Sequence, residues 1–202
     1  MNGTVDADPG LQKVKIPLPL LVALFFLLTC INALVAKFVV FSFPIAPGVS
    51  SLYLVVCCMI LFSLWFGLWG SLAAYAGCFI GAGILSGIPF DVSLLWSFAD
   101  FFEAFIPLLA FRILRADPSL ISWRDVSILF IFGIVLNNCI GAAWGSVTLA
   151  ISGLITWNEL SSTFFGWLTS NVIVCLILIP PLLHLVTPRL SGHELYIKNY
   201  LR

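Results

Sequence analysis

The chain has 202 residues, 61% of them hydrophobic and only 9% charged, and its formal net charge is zero. A soluble domain of this length does not carry so much apolar residue, and apolar runs of about 18 residues or more recur, which marks a transmembrane chain. Balanced charge gives nucleic-acid binding no electrostatic basis, so no nucleic-acid partner is expected and the lipid bilayer is the first partner.

Residues 1–15 are polar. The first helix is expected over 17–41, with Pro17 at its start, where a missing N–H costs little. Its apolar run, 16–36, is too long for a signal-peptide core and lacks a small-x-small cleavage site, so it is expected to stay as a membrane anchor. Pro44 and Pro47 place a turn over 42–48. The block 49–88 is about twice the ~20 residues that one crossing needs. Gly67 and Gly70, in the run WFGLWG, divide it by a tight hairpin into a second helix, 49–66, and a third, 70–88. Pro89 and Asp91 form the next loop, a fourth helix covers 92–114, and 115–125 is the most polar connection. The fifth helix runs from near 126 to about 155, long enough to be tilted or broken. The sixth is 161–185, and a short basic tail follows. The expected fold is an all-α polytopic membrane bundle of about six transmembrane helices. It divides into a cytoplasmic segment 1–15, the bundle 16–188 and a cytoplasmic tail 189–202.

Six crossings put both termini on one side. Lys13, Lys15, Arg112, Arg115, Arg124, Arg189, Lys198 and Arg202 all fall on that side, and Lys37 alone falls near the other. The positive-inside rule then makes both termini cytoplasmic in a cell-membrane protein. Trp65, Trp69 and Trp123 are expected in the inner aromatic belt, and Trp96 and Trp157 in the outer one. Ala73, Gly77 and Gly81 recur at spacing four, and so do Gly141 and Gly145, a pattern that lets backbones approach in lipid. Those seams lie either within one chain or between the copies of a homo-oligomer.

The stretch 96–115, WSFADFFEAFIPLLAFRILR, concentrates the cost in this sequence. It is apolar enough to cross a bilayer, yet it holds Asp100 and Glu103. A carboxylate in hydrocarbon costs at least ~2.5 kcal/mol, so such residues face a bundle interior or a wet cavity. Three residues apart, the two acids share a helix face. Pro107 has no N–H and leaves the Glu103 carbonyl without its helical donor. At 1.5 Å per residue, Glu103 lies roughly 16 Å below the outer end of its helix. Asn137, Asn138 and Asn171 come to about that depth, with Thr169 and Ser170 just above, while Asp100 is one turn further out and level with Asn32. The amides read either as interhelical glue or as the lining of a site for a small ligand, proton or cation. Two acids on one face add repulsion to desolvation, which makes Asp100, Glu103, Asn137, Asn138 and Asn171 the candidate ligand-binding residues. A neutral Glu103, donating to Asn137, Asn138 or a ligand, is expected.

His184 reads as an interfacial residue and His193 as a solvated one. Cys30, Cys57, Cys58, Cys78, Cys139 and Cys175 all lie in apolar runs without a CxxC pair, as small buried hydrophobes do. No catalytic motif, metal-ligand spacing or phosphate-binding loop is present, so no enzyme activity, metal or cofactor is expected.

Three stretches resemble the membrane-associated sensor (MASE) domain family. They are Asp100 to Ala104 with its basic helix end; Arg124-Asp125 leading to Gly141-Ala142-Ala143-Trp144-Gly145 and Gly153; and Trp167 through Asn171 to Pro180-Pro181-Leu182-Leu183. The likeness covers about 50–188, and its motifs are loose and mostly apolar. It implies an integral membrane sensory input coupled to a cytoplasmic signalling partner. Asn171 stands where the family pattern has an acid, and no output domain follows Arg202, so a free-standing or truncated sensor is implied. Six helices with almost no soluble part are also similar to the substrate-binding S components of energy-coupling-factor vitamin transporters. That likeness implies a coupling ATPase as partner. The Ala-x-x-x-Ala patch that family carries on its first helix is missing here; Thr29 and Ala33 are the nearest pair.

Overall fold

The computed structural model describes residues 16–39, 44–47, 49–50 and 52–197. The segment 1–15, part of the 42–48 turn, and Lys198 and Arg202 lie outside them. The chain is an all-α bundle. Its long helical stretches are α1 (Leu18–Phe38), α3 (Leu68–Cys78, prolonged to Ser86), α4–α5 (Phe90–Trp96 and Phe98–Ile113), α6–α7 (Trp123–Ile128 and Asn137–Ile151) and α8 (Leu160–Leu190). Each of these five is long and apolar enough to cross a membrane. Their outward faces carry Leu27, Leu34, Phe165 and Ile177, as lipid-facing surfaces do.

The sixth helix, α2 (Val55–Phe66), is the axis of the bundle. From Val55 to Trp65 every side chain except Cys58 and Phe62 is buried, and α3, α5 and α8 pack around it. A helix apolar on all sides belongs inside. At 12 residues it is about 18 Å long, short of the ~30 Å core, and shorter than the 49–66 helix expected from the apolar block. Residues ahead of it form an antiparallel hairpin, β1 (Pro44–Ala46) with β2 (Val49–Ser50). Ile45 of that hairpin lies against Gly166 of α8, and Val49 and Tyr53 are buried.

A single residue, Gly67, turns α2 into α3 at φ 67°, a left-handed value that favours glycine. The Ser63 and Ser71 hydroxyls clasp the turn at 2.7 Å. The Ala73–Gly77–Gly81 face of α3 is filled by α1 of the same chain: a Cβ on Gly77 would stand 2.4 Å from Asn32 Cβ, and one on Gly81 2.4 Å from the Ala33 carbonyl. That seam is therefore intramolecular. The fifth crossing is one continuous run whose middle, Leu129–Leu136, winds as a π-helix. Pro180 and Pro181 do not end α8, which continues to Leu190.

Trp65 and Trp96 are not belt residues. Trp65 is buried and donates through Nε1 to Thr187 Oγ1 at 3.0 Å, and Trp96 is buried with its ring edge-on to Trp167. Both indoles go inward because they find packing there. Trp123 and Trp157 are 86% and 64% exposed. The end of the bundle bearing Arg112, Arg115, Arg124 and Arg189 is closed by its own loops. Arg124 donates to the Leu114 carbonyl at the end of α5, and Asp125 with Ser122 makes a capping box on α6. His184 is exposed, with its ring beside the Ser119 carbonyl. The chain beyond α8 folds back: Leu195 packs on the Leu24–Leu28–Ala73 cluster and Tyr196 is buried. Burial, helped by nearby Asp117, pushes the Tyr196 phenol above its ordinary pKa.

Candidate functional site

Both acids of α5 are fully buried, and so are Asn137 and Asn138 of α7 and Asn171 of α8. The helix is built to hold them. It breaks at Ser97, whose hydroxyl donates to the Ser93 carbonyl at 2.6 Å, and it carries Pro107 one turn beyond Glu103. The carbonyl that Pro107 leaves free does not go unbonded: Asn137 Nδ2 donates to Glu103 O at 2.9 Å. Asn138 Nδ2 donates to the Ile134 carbonyl at 2.8 Å and reaches Asn137 Oδ1 at 3.3 Å and Cys175 Sγ at 3.7 Å.

The Glu103 carboxyl looks toward α8. Trp167 Nε1 donates to Oε1 at 3.0 Å, and Asn171 Nδ2 lies 3.2 and 3.3 Å from the two oxygens. The expected bond from a neutral Glu103 to Asn137 or Asn138 does not form; Asn137 meets the backbone instead, and the carboxyl receives two donors. Gly141 and Gly145 of α7 make this possible. A Cβ on Gly141 would lie 2.3 Å from Glu103 Oε1, and one on Gly145 2.4 Å from the Trp167 ring. Their spacing thus clears one face of α7 for the two side chains that α5 and α8 send across it.

Asp100 has different company. Its carboxyl faces the Cys78 thiol of α3 and the Tyr53 hydroxyl ahead of α2. Both are turned toward it as donors, in looser geometry than the bonds that hold Glu103. Asn138 Oδ1 and Asn171 Oδ1 are buried without a partner.

The structure thus joins Glu103, Asn137, Asn138 and Asn171 in one network across α5, α7 and α8, with Asp100 one turn away. Asn32 is buried at the α1–α3 seam with both amide atoms unpartnered and no bond to the acids. Thr169 is exposed, and Ser170 turns back to its own helix at the Gly166 carbonyl. Sequence reasoning missed Trp167, Tyr53 and Cys78. Trp167 was findable, being four residues before Asn171 and so on the same face; Tyr53 and Cys78 sit in apolar runs without a distinguishing signal.

A bundle with five membrane-length apolar helices and a buried polar layer is a multi-pass membrane protein. No protein-family pattern, curated protein or solved structure matches the chain, so its geometry carries the functional argument.

Proposed function

We propose that the chain is an integral membrane sensory protein, not an enzyme. It takes a small molecule or a proton into the Asp100–Glu103 layer and passes the change to a cytoplasmic partner. The observation that carries this reading is the pair of buried acids set in a layer that joins three helices and leaves acceptor oxygens unfilled. Buried polar groups are ordinarily bonded, and each orphaned one costs about 1–3 kcal/mol. A ligand that donates hydrogen bonds relieves that cost and can pull on α5, α7 and α8 together. The transporter-subunit alternative needs a docking patch on α1, and the nearest pair, Thr29 and Ala33, is buried.

The test is a response assay beside a thermal melt. Glu103→Gln keeps an acceptor for Trp167, and Asn171 can present its unpartnered Oδ1 to the new amide, so this variant is expected to fold and lose the response. Full response in Glu103→Gln combined with Asp100→Asn would show that the acids are structural.

Two further expectations concern orientation and partner. Basic residues gather at one end, which the positive-inside rule makes cytoplasmic; reporters fused at Met1 and Arg202 should both be active inside, and outside-only activity overturns the topology. Arg115 is exposed at that end, so Arg115→Glu should weaken the partner complex without changing the melt. Arg124→Glu should also lower stability by about 1 kcal/mol, because it loses the bond to the Leu114 carbonyl. Purification of the chain from native membranes as a lone monomer under mild conditions would count against any such complex.

A further inference from the structure

We propose that the groove between α4 and α7, at the end of the bundle that carries Pro89, is a binding site for an amphiphile with an apolar body and a protonated amine. The body lies between the two helices, and the amine meets Asp91. No residue of the Asp100–Glu103 layer lines this groove, so the site is separate from that layer and does not rest on the sensory reading.

The groove is roomy and held open. Its volume is about 620 Å³, inside the ~300–1,000 Å³ range of small-molecule pockets. Leu95, Ala143, Trp144, Val147 and Ile151 make its walls apolar. It follows α7 from Trp144 to Ser152, about 12 Å at 1.5 Å per residue. Two ring donors fix the α4 wall. Trp144 Nε1 donates to the Leu95 carbonyl at 2.8 Å, and the Tyr75 hydroxyl of α3 donates to the neighbouring Leu94 carbonyl at 2.9 Å. The Trp144 ring is packed edge-on against Phe98 and Phe102, with centroids 6.2 and 5.4 Å away. Thus α4 is pinned to α3 and to α7, and it cannot settle into the groove without breaking those bonds. A pocket already formed loses little free energy to ordering when a ligand enters.

The polar groups of the groove say what fits it. The Thr148 hydroxyl donates to the Trp144 carbonyl at 2.8 Å and the Ser152 hydroxyl to the Leu149 carbonyl at 2.9 Å, so both spend their protons within α7 and its end. The Trp144 N–H is spent on Leu95. That leaves Asp91, exposed in the first turn of α4 and without a bonded partner among the described residues. The lining side chains therefore offer no free donor and one anionic acceptor. A carboxylate or phosphate ligand would meet repulsion there, and an uncharged chain would leave the acid unused. A protonated amine brings both the opposite charge and N–H donors, and alkylamines are protonated at neutral pH as the lysine side chain is. An amphiphile dissolved in the bilayer reaches the groove from the side. Its tail stays in hydrocarbon and its amine at the rim, as a snorkelling lysine places its own head.

The experiment is bromine quenching of tryptophan fluorescence, with the full chain in neutral phosphatidylcholine liposomes at pH 7. The probe is a tail-brominated dodecylamine, and the control is the tail-brominated alcohol of the same chain, both compared at equal membrane-bound amounts. The amine should quench saturably and half-saturate at roughly two- to fivefold less probe than the alcohol, the size an exposed ion pair supplies. Trp144→Phe should remove the saturable part, which places the probe at the floor of the groove and not at another tryptophan. Asp91→Asn should bring the amine to the half-saturation of the alcohol, and Ala143→Phe should abolish saturation by either. Melts show which variants fold. Should Trp144→Phe fail to fold, Ala143→Phe locates the probe in its place, and Val147→Phe stands in for Ala143→Phe in the same way. Quenching that rises in proportion to both probes without saturating is that of ordinary boundary lipid and overturns the site. An amine preference that survives Asp91→Asn overturns it too, as does a saturable part that survives Trp144→Phe or the filled groove.

Discussion

Gly141→Ala is expected to destabilise the bundle by about 1–3 kcal/mol, the usual cost of overpacking a filled site, and to become neutral or stabilising once Glu103 is truncated. The added methyl would stand 2.3 Å from Glu103 Oε1 and 2.4 Å from its Cγ. A long side chain ordinarily swings away from such a clash. This one is buried on all sides and tied to Trp167 and Asn171, so moving it means breaking those bonds. Glu103→Ala alone should also be costly, because it orphans the Trp167 and Asn171 donors at about 1–3 kcal/mol each. In that background the space beside residue 141 is empty, and alanine gains about 1 kcal/mol over glycine in a helix interior. A change of sign for one substitution between two backgrounds is a strong form of coupling. Denaturant titration of the four proteins in detergent measures it. Equal costs of Gly141→Ala in both backgrounds would mean that the glycine does not serve the acid.

That pairing also shows where the sequence was legible. Apolar run lengths place the crossings, and Gly67 marks the hairpin between α2 and α3. The spacing of Asp100 and Glu103 puts both on one buried face. Depth counting brings Asn137, Asn138 and Asn171 to Glu103, yet it does not say which atom meets which, because 1.5 Å per residue fixes height and not rotation. So Asn137 was matched to the wrong group of Glu103, the carboxyl rather than the carbonyl. The glycines of α7 read as a backbone contact, whereas they make room for side chains from two other helices. The outer half of the second crossing was not legible at all. Val49 and Tyr53 are buried, but a stretch as short as 49–54 does not by itself distinguish helix from strand. With that hairpin undetected, Tyr53 could not be placed opposite Asp100.

Asn137→Ala should destabilise the wild type by about 1–3 kcal/mol and cost markedly less when Pro107 is also replaced by alanine. Pro107 lies within α5 and lacks the N–H that would bond the Glu103 carbonyl. Asn137 supplies that donor from α7 at 2.9 Å, so removing it leaves a carbonyl unpaired in the interior of a membrane bundle, where water cannot replace the donor. Alanine at 107 restores an N–H inside the same helix and makes the asparagine dispensable for that bond. Asn138 keeps its bond to the Ile134 carbonyl in either background, so the comparison isolates the Glu103 carbonyl. The expected non-additivity is about 0.5–3 kcal/mol, the range for residues that share one hydrogen-bonding network. It should appear in melts of the two single variants, the double variant and the wild type. Strictly additive costs would show that Pro107 and Asn137 do not answer to the same carbonyl. The link from the kink in α5 to the amide layer on α7, and with it the coupling of these two helices through Glu103, would then be lost.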